Sequence, residues 1–123
     1  MNFSLTIDQF KEMDALAIQN YALPIELMME NAGLQLARLV SLNANRNNNI
    51  WIGVGPGNNG DHLFRPDFIL TMAAPKIELI KFGHDPGLFI ADIGIPGDLY
   101  EHFGIRQPDF AKEGIVKFTN LPG

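Results

Sequence analysis

Cysteine is missing from all 123 residues, which excludes disulfides, thiolate nucleophiles and cysteine-ligated metals and leaves the redox compartment open. Long apolar runs are missing too. None approaches the roughly 20 residues that a membrane-spanning helix needs, so the chain is expected to be soluble, with no membrane partner. The opening Met1-Asn2-Phe3-Ser4-Leu5-Thr6 has neither the basic stretch nor the apolar stretch of a secretory signal, and the cytoplasm is the expected location. Positive charge is scarce: nine Lys and Arg against 14 Asp and Glu give a net charge of −5. A nucleic-acid surface needs a concentrated basic face, and Lys76 with Lys81 does not make one, so no nucleic-acid partner is expected.

What is present describes an ordinary globular chain, 46% hydrophobic and 19% charged, of a length that suits one domain over residues 1–123. No internal repeat, linker or heptad pattern divides it. Thr6-Ile7-Asp8-Gln9 has the form of a capping box, in which Thr6 accepts from the amide three residues on and Gln9 reaches back. A helix is expected to start there. Ile7, Phe10, Met13 and Ala17 recur at helical spacing to about Asn20, with Asp8, Lys11, Glu12 and Gln19 elsewhere. Pro24 suits the first turn of a second helix, whose apolar stripe is Ile25, Met28, Met29, Ala32, Leu36, Leu39 and Val40, with Asn31, Gln35 and Arg38 opposite.

Five asparagines between Asn43 and Asn49 mark a loop, because asparagine competes for backbone hydrogen bonds and tolerates left-handed conformations. Ile50 to Val54 is strand-like, and Phe68 to Met72 and Leu88 to Ile93 read as buried strands, with a further short one between Ile77 and Phe82. Gly97 to Phe103 suits a short helix, and the tail from Gly104 reads as irregular. Apolar strands after helices favour an α/β fold with a parallel or mixed sheet of three or four strands.

Gly55-Pro56-Gly57-Asn58-Asn59-Gly60-Asp61 fits G-x-G-x-x-G after a strand, the spacing that brings backbone N–H groups against a phosphate. Pro-Gly and Asn-Gly are also strong turn formers, so a plain tight turn fits the same residues. Pro66 leaves only Asp61 to Arg65 for the helix that ordinarily follows such a loop and holds the pyrophosphate at its N-terminus. His62 beside the loop is the one group there that titrates near pH 7 and is of a type that can shuttle a proton, though it reads first as a solvated loop histidine. His84 and His102 have no ligand spacing and read as surface residues. Glu78 stands about 20 residues after the glycines, where a ribose-binding acid is found in dinucleotide sites, and carries little weight as one. Asp14, Glu30 and Asn31 read as makers of structural or interface hydrogen bonds.

Three ordered segments resemble the NAD(P)H-hydrate epimerase family, the YjeF N-terminal domain. Residues from Met13-Asp14 through Leu23-Pro24 to Leu27-Met28-Met29-Glu30-Asn31-Ala32-Gly33 look like its two-helix opening. Gly55 to Asp61 is close to its GPGNNGGDG loop. Residues from Pro66-Asp67-Phe68 through Ala74-Pro75-Lys76 to Ile90-Ala91-Asp92-Ile93-Gly94-Ile95-Pro96 look like its closing strands. Residues 1–61 thus match the front of the family's domain and 66–103 its end.

The resemblance implies a truncated Rossmann-like α/β domain, two N-terminal helices followed by a small, mostly parallel sheet without its central strands. It implies interconversion of the R and S epimers of hydrated NADH and NADPH, the substrates NADHX and NADPHX. By the same resemblance Asn58, Asn59, Gly60 and Asp61 bind the nucleotide, Asn59 is a ligand of a potassium ion, and the protein is a homodimer. The family's V-D-x-P-S-G segment, with its catalytic aspartate, has no counterpart here, and the loop is one glycine short. Asp92 stands in the later A-D-I-G-I-P segment and does not take that role, so the catalytic residue is unassigned. A non-catalytic nucleotide-binding or dimerisation module of the same family, and a defective deletion product, are the alternatives.

Overall fold

The structure is a computed structural model that describes residues 4–43, 69–82, 87–110 and 114–118. The expected strand Ile50–Val54 and the glycine loop fall outside the described residues. Helix α1 runs Ile7–Tyr21 and starts on the expected capping box: Gln9 N–H donates to Thr6 Oγ1 at 3.1 Å and Thr6 N–H to Gln9 Oε1 at 2.9 Å. It ends at Ala22, in the left-handed conformation at φ 52°, whose N–H closes on Ala17 O. Helix α2 runs Ile25–Asn43. Pro24 stands immediately before it, and its carbonyl accepts from Leu27 and Met28 N–H.

Strands β1 (Ile69–Met72), β2 (Leu88–Ala91) and β3 (Ile115–Lys117) form one sheet in that order. β1 and β2 are parallel, with Ile69 opposite Leu88 and Met72 opposite Ala91. The chain is thus mixed α/β: helices followed by a small open sheet. The expectation of a mostly parallel sheet needs correction, because β3 returns antiparallel to β2, with Phe89 opposite Lys117 and Ala91 opposite Ile115. Its approach is set by Gly114, at φ 72°, whose carbonyl accepts from Asp92 N–H at 2.8 Å. The tail is therefore not wholly irregular. Leu-Phe-Ile-Ala of β2 is the apolar run of a strand paired on both edges, with Leu88 and Ala91 fully buried.

Residues Ile77–Phe82 form a 3-10 helix, not a strand. Their place is set by the chain start: Leu5 N–H donates to Pro75 O at 2.9 Å and Ile77 N–H to Leu5 O at 2.8 Å, a parallel bridge between Leu5 and Lys76. Those bonds satisfy the local backbone without a sheet neighbour. A short helix α3, Gly97–His102, follows β2 as expected.

The main core joins Leu5, Met13, Ala17 and Met28 to Ala73, Ile93, Leu99 and Tyr100. Along α2 the buried line is Met28, Gln35 and Leu39, while Ile25 is 54% and Met29 67% exposed. Gln35 was expected on the polar face. It is instead covered by the Gly114 turn, where a Cβ would lie 2.3 Å from Gln35 Nε2. Hydrophobicity counts cannot anticipate a glutamine covered by a glycine turn from the far end of the chain.

Candidate functional site

In open α/β sheets ligands bind beyond the carboxyl ends of parallel strands, where the chain leaves the sheet and side chains converge. Here those ends are Met72 and the Asp92-Ile93 turn, and a cleft of about 190 Å³ opens beside them. Met72 and Ile93 line it from the strand ends, and Phe10 and Asp14 from α1. The remaining wall is α2, through Ile25, Met28, Met29 and Ala32. Asn31 fixes that helix to the strand end, its Nδ2 donating to Ile93 O at 3.4 Å, the kind of structural bond expected of it.

Lys76 lies at the back of the site and is 4% exposed. Buried lysine needs partners, because an ammonium loses its hydration in the interior. Its Nζ donates to Met72 O and sits 3.8 Å from the centre of the Phe10 ring, a cation–π contact. Burial draws its pKa down from 10.5 to about 7, against the opposing pull of the Asp14 and Glu78 carboxylates. Asp14 moves the other way: partial burial raises its pKa, and Lys76 holds it back. Phe10, Asp14 and Met72, which surround or face the ammonium, are all cleft residues.

Lys76 is the residue that sequence reasoning passed over: it counted as half of a basic pair and as part of the third family-like segment, with no role of its own. Its one available signal was its place in Ala73-Ala74-Pro75-Lys76, directly after an apolar strand. Glu78, set aside as a ribose acid, accepts from Ile7 N–H at the start of α1. Asp92 makes a local turn, its Oδ1 accepting from Gly94 N–H at 2.9 Å, where Gly94 has φ 89°. His102 is exposed and edge-on to Phe103, with ring centres 5.1 Å apart.

Asn58, Asn59, Gly60 and Asp61, with His62 and His84, lie outside the described residues, so the glycine loop and the cleft are separate candidates. Among the described residues no group of three or more His, Asp or Glu stands where it could hold a metal ion, and no helix is long and apolar enough to cross a membrane. Fold and cleft together define a small mixed α/β protein with a ligand-sized hollow at its parallel strand ends. Compared with known proteins, the chain matches no family model, no curated protein and no solved structure.

Proposed function

We propose that this chain is a nicotinamide-nucleotide protein of the NAD(P)H-hydrate epimerase kind, acting on hydrated NADH and NADPH through Asn58, Asn59, Gly60 and Asp61, with Asn59 on a potassium ion. The observation that carries it is the ordered run of three segments, of which the glycine loop follows an apolar stretch as a phosphate-binding turn does. Further support comes from the first and last of them. Asp14, Met28 and Ala32 of the first segment and Ile93 of the third meet around one cleft, so the two segments pack against each other as parts of one domain would.

Epimerisation at the hydrated carbon needs a positioned acid or base, and the chain has no D-x-P-S-G aspartate to serve. The test is therefore activity itself. Purified protein should speed the equilibration of separated NADHX epimers in potassium buffer, and Asn59→Ala should slow it. A rate equal to the uncatalysed one removes the enzymatic reading.

A second reading, a non-catalytic dimerisation module, is favoured by α2. Leu27 and Leu34, seven positions apart on one helix face, are 42% and 48% exposed. Under this reading the protein is a homodimer by light scattering, and Leu27→Glu with Leu34→Glu makes it a monomer. A monomeric parent protein counts against it.

A further inference from the structure

Among the described residues that line the cleft Asp14 is the one charged side chain, and the others present hydrocarbon, thioether and aromatic ring. The carboxylate sits where water is partly excluded, as its raised pKa reflects. Among the described residues the positive charge that acts on it is Lys76, whose ammonium also lies on the Phe10 ring and donates to the Met72 carbonyl.

We propose that the cleft binds a small apolar cation, an alkyl or aryl ammonium, with its organic part against Met28, Met29 and Ile93 and its positive end on Asp14. Charge decides among the possible occupants. An anion meets a carboxylate from which water is partly excluded and is repelled. A neutral alcohol gains the same apolar contact and little from the charge. A cation gains both, since charge-assisted hydrogen bonds are about twice as strong as neutral ones. Methionine side chains suit such a guest because they are flexible and polarisable and fit irregular shapes. Size sets the limit: the cleft of about 190 Å³ equals roughly six water volumes of about 30 Å³ each, room for a chain of about six carbons and not for a whole nucleotide.

Binding is coupled to Lys76. A second positive charge beside Asp14 weakens the attraction that keeps the Lys76 ammonium charged, and Lys76 releases its proton more readily. The other charge near it, Glu78 on the 3-10 helix, stays in place. Affinity for the cation should therefore rise with pH across the neutral range, with protons released on binding.

The experiment compares hexylammonium, hexan-1-ol and hexanoate, followed by the methyl resonances of Met28 and Met29. Hexylammonium should bind at least about tenfold more tightly than the other two. Asp14→Asn should bring the three within about threefold of one another. Calorimetry near pH 7 in buffers of different ionisation enthalpy should show proton release with hexylammonium alone. Ala32→Leu, which fills the hollow without touching a charge, should abolish all three interactions and guards against misreading a poorly folded Asp14→Asn. Equal affinities in the parent protein, no binding up to about 50 mM, or binding unaffected by Ala32→Leu each overturn the proposal.

Discussion

Ile7 and Glu78 stand 71 positions apart, yet the Ile7 N–H is shared between the two carboxylate oxygens of Glu78 at 3.1 Å each. An amide in the first turn of α1 has no partner within the helix. A carboxylate there satisfies it and also opposes the positive end of the helix dipole. The Leu5 bridge to Lys76 sets the two segments side by side, so α1 is anchored to the end of β1 before its first turn closes.

Glu78→Ala should lower the unfolding free energy by about 1 kcal/mol in urea titrations, within the range of lost helix caps. Glu78→Gln keeps one acceptor oxygen and loses the charge. Its loss should be smaller, and the parent's advantage over it should shrink in high salt.

Tyr100 is 1% exposed, and its hydroxyl donates to Ala73 O at 2.7 Å. Ala73 holds a positive φ of 69° just past β1, and its N–H donates to Ala91 O at 2.7 Å. Tyr100→Phe leaves the Ala73 carbonyl without that donor, and such groups typically cost about 1–3 kcal/mol. Denaturant unfolding should show a loss in that range with an unchanged m-value.

Lys76 makes stability depend on pH in a direction its buried place dictates. Its pKa of about 7 in the fold lies below the ordinary 10.5, so between these values the unfolded chain binds the extra proton. Stability should rise with pH from about 7 towards 10, by at most about 1.4 kcal/mol per unit. Below about 7 both states hold the proton and this contribution is flat. Above about 10 Tyr100, whose pKa burial pushes well above its usual value, opposes the rise, because the unfolded chain loses a proton that the fold keeps. Lys76→Met should remove the rise between about pH 7 and 10; the same slope in that variant would assign it to another group.

Ala22 occupies the left-handed cap of α1 at φ 52° and is exposed. Glycine takes this conformation without the Cβ clash that costs an L-residue about 1–2 kcal/mol. Ala22→Gly should stabilise the protein by about 0.5–1 kcal/mol after the extra entropy of glycine in the unfolded chain. Thermal unfolding at one pH checks the sign.

Much of the local structure was legible in the sequence because its causes lie within a few residues of its effects. Thr6 and Gln9 make the capping box that their spacing announces, and Leu88 to Ala91 is the strand its apolar run suggests. The 3-10 helix at Ile77–Phe82 was read as a strand, since Ile-Glu-Leu-Ile alternates well enough for either and the deciding bond comes from Leu5. β3 was not foreseen: Ile115–Lys117 is too short to announce itself and exists by pairing with β2. Of the site, the asparagines and glycines of the loop were visible as a motif. The cleft was not, because its lining comes from two helices and two strand ends.

By itself the sequence determined the helix starts, the apolar strands, the absence of thiol chemistry and the three segments that resemble one family. These follow from composition and from interactions a turn or two long. Only the tertiary structure decided that Lys76 is buried on Phe10 near Asp14, that Gln35 faces inward beneath the Gly114 turn, and that Glu78 belongs to the start of α1. The physical reason is shared. The state of a polar group depends on what covers it and what charge stands near it, and here those neighbours are brought by chain closure from tens of residues away.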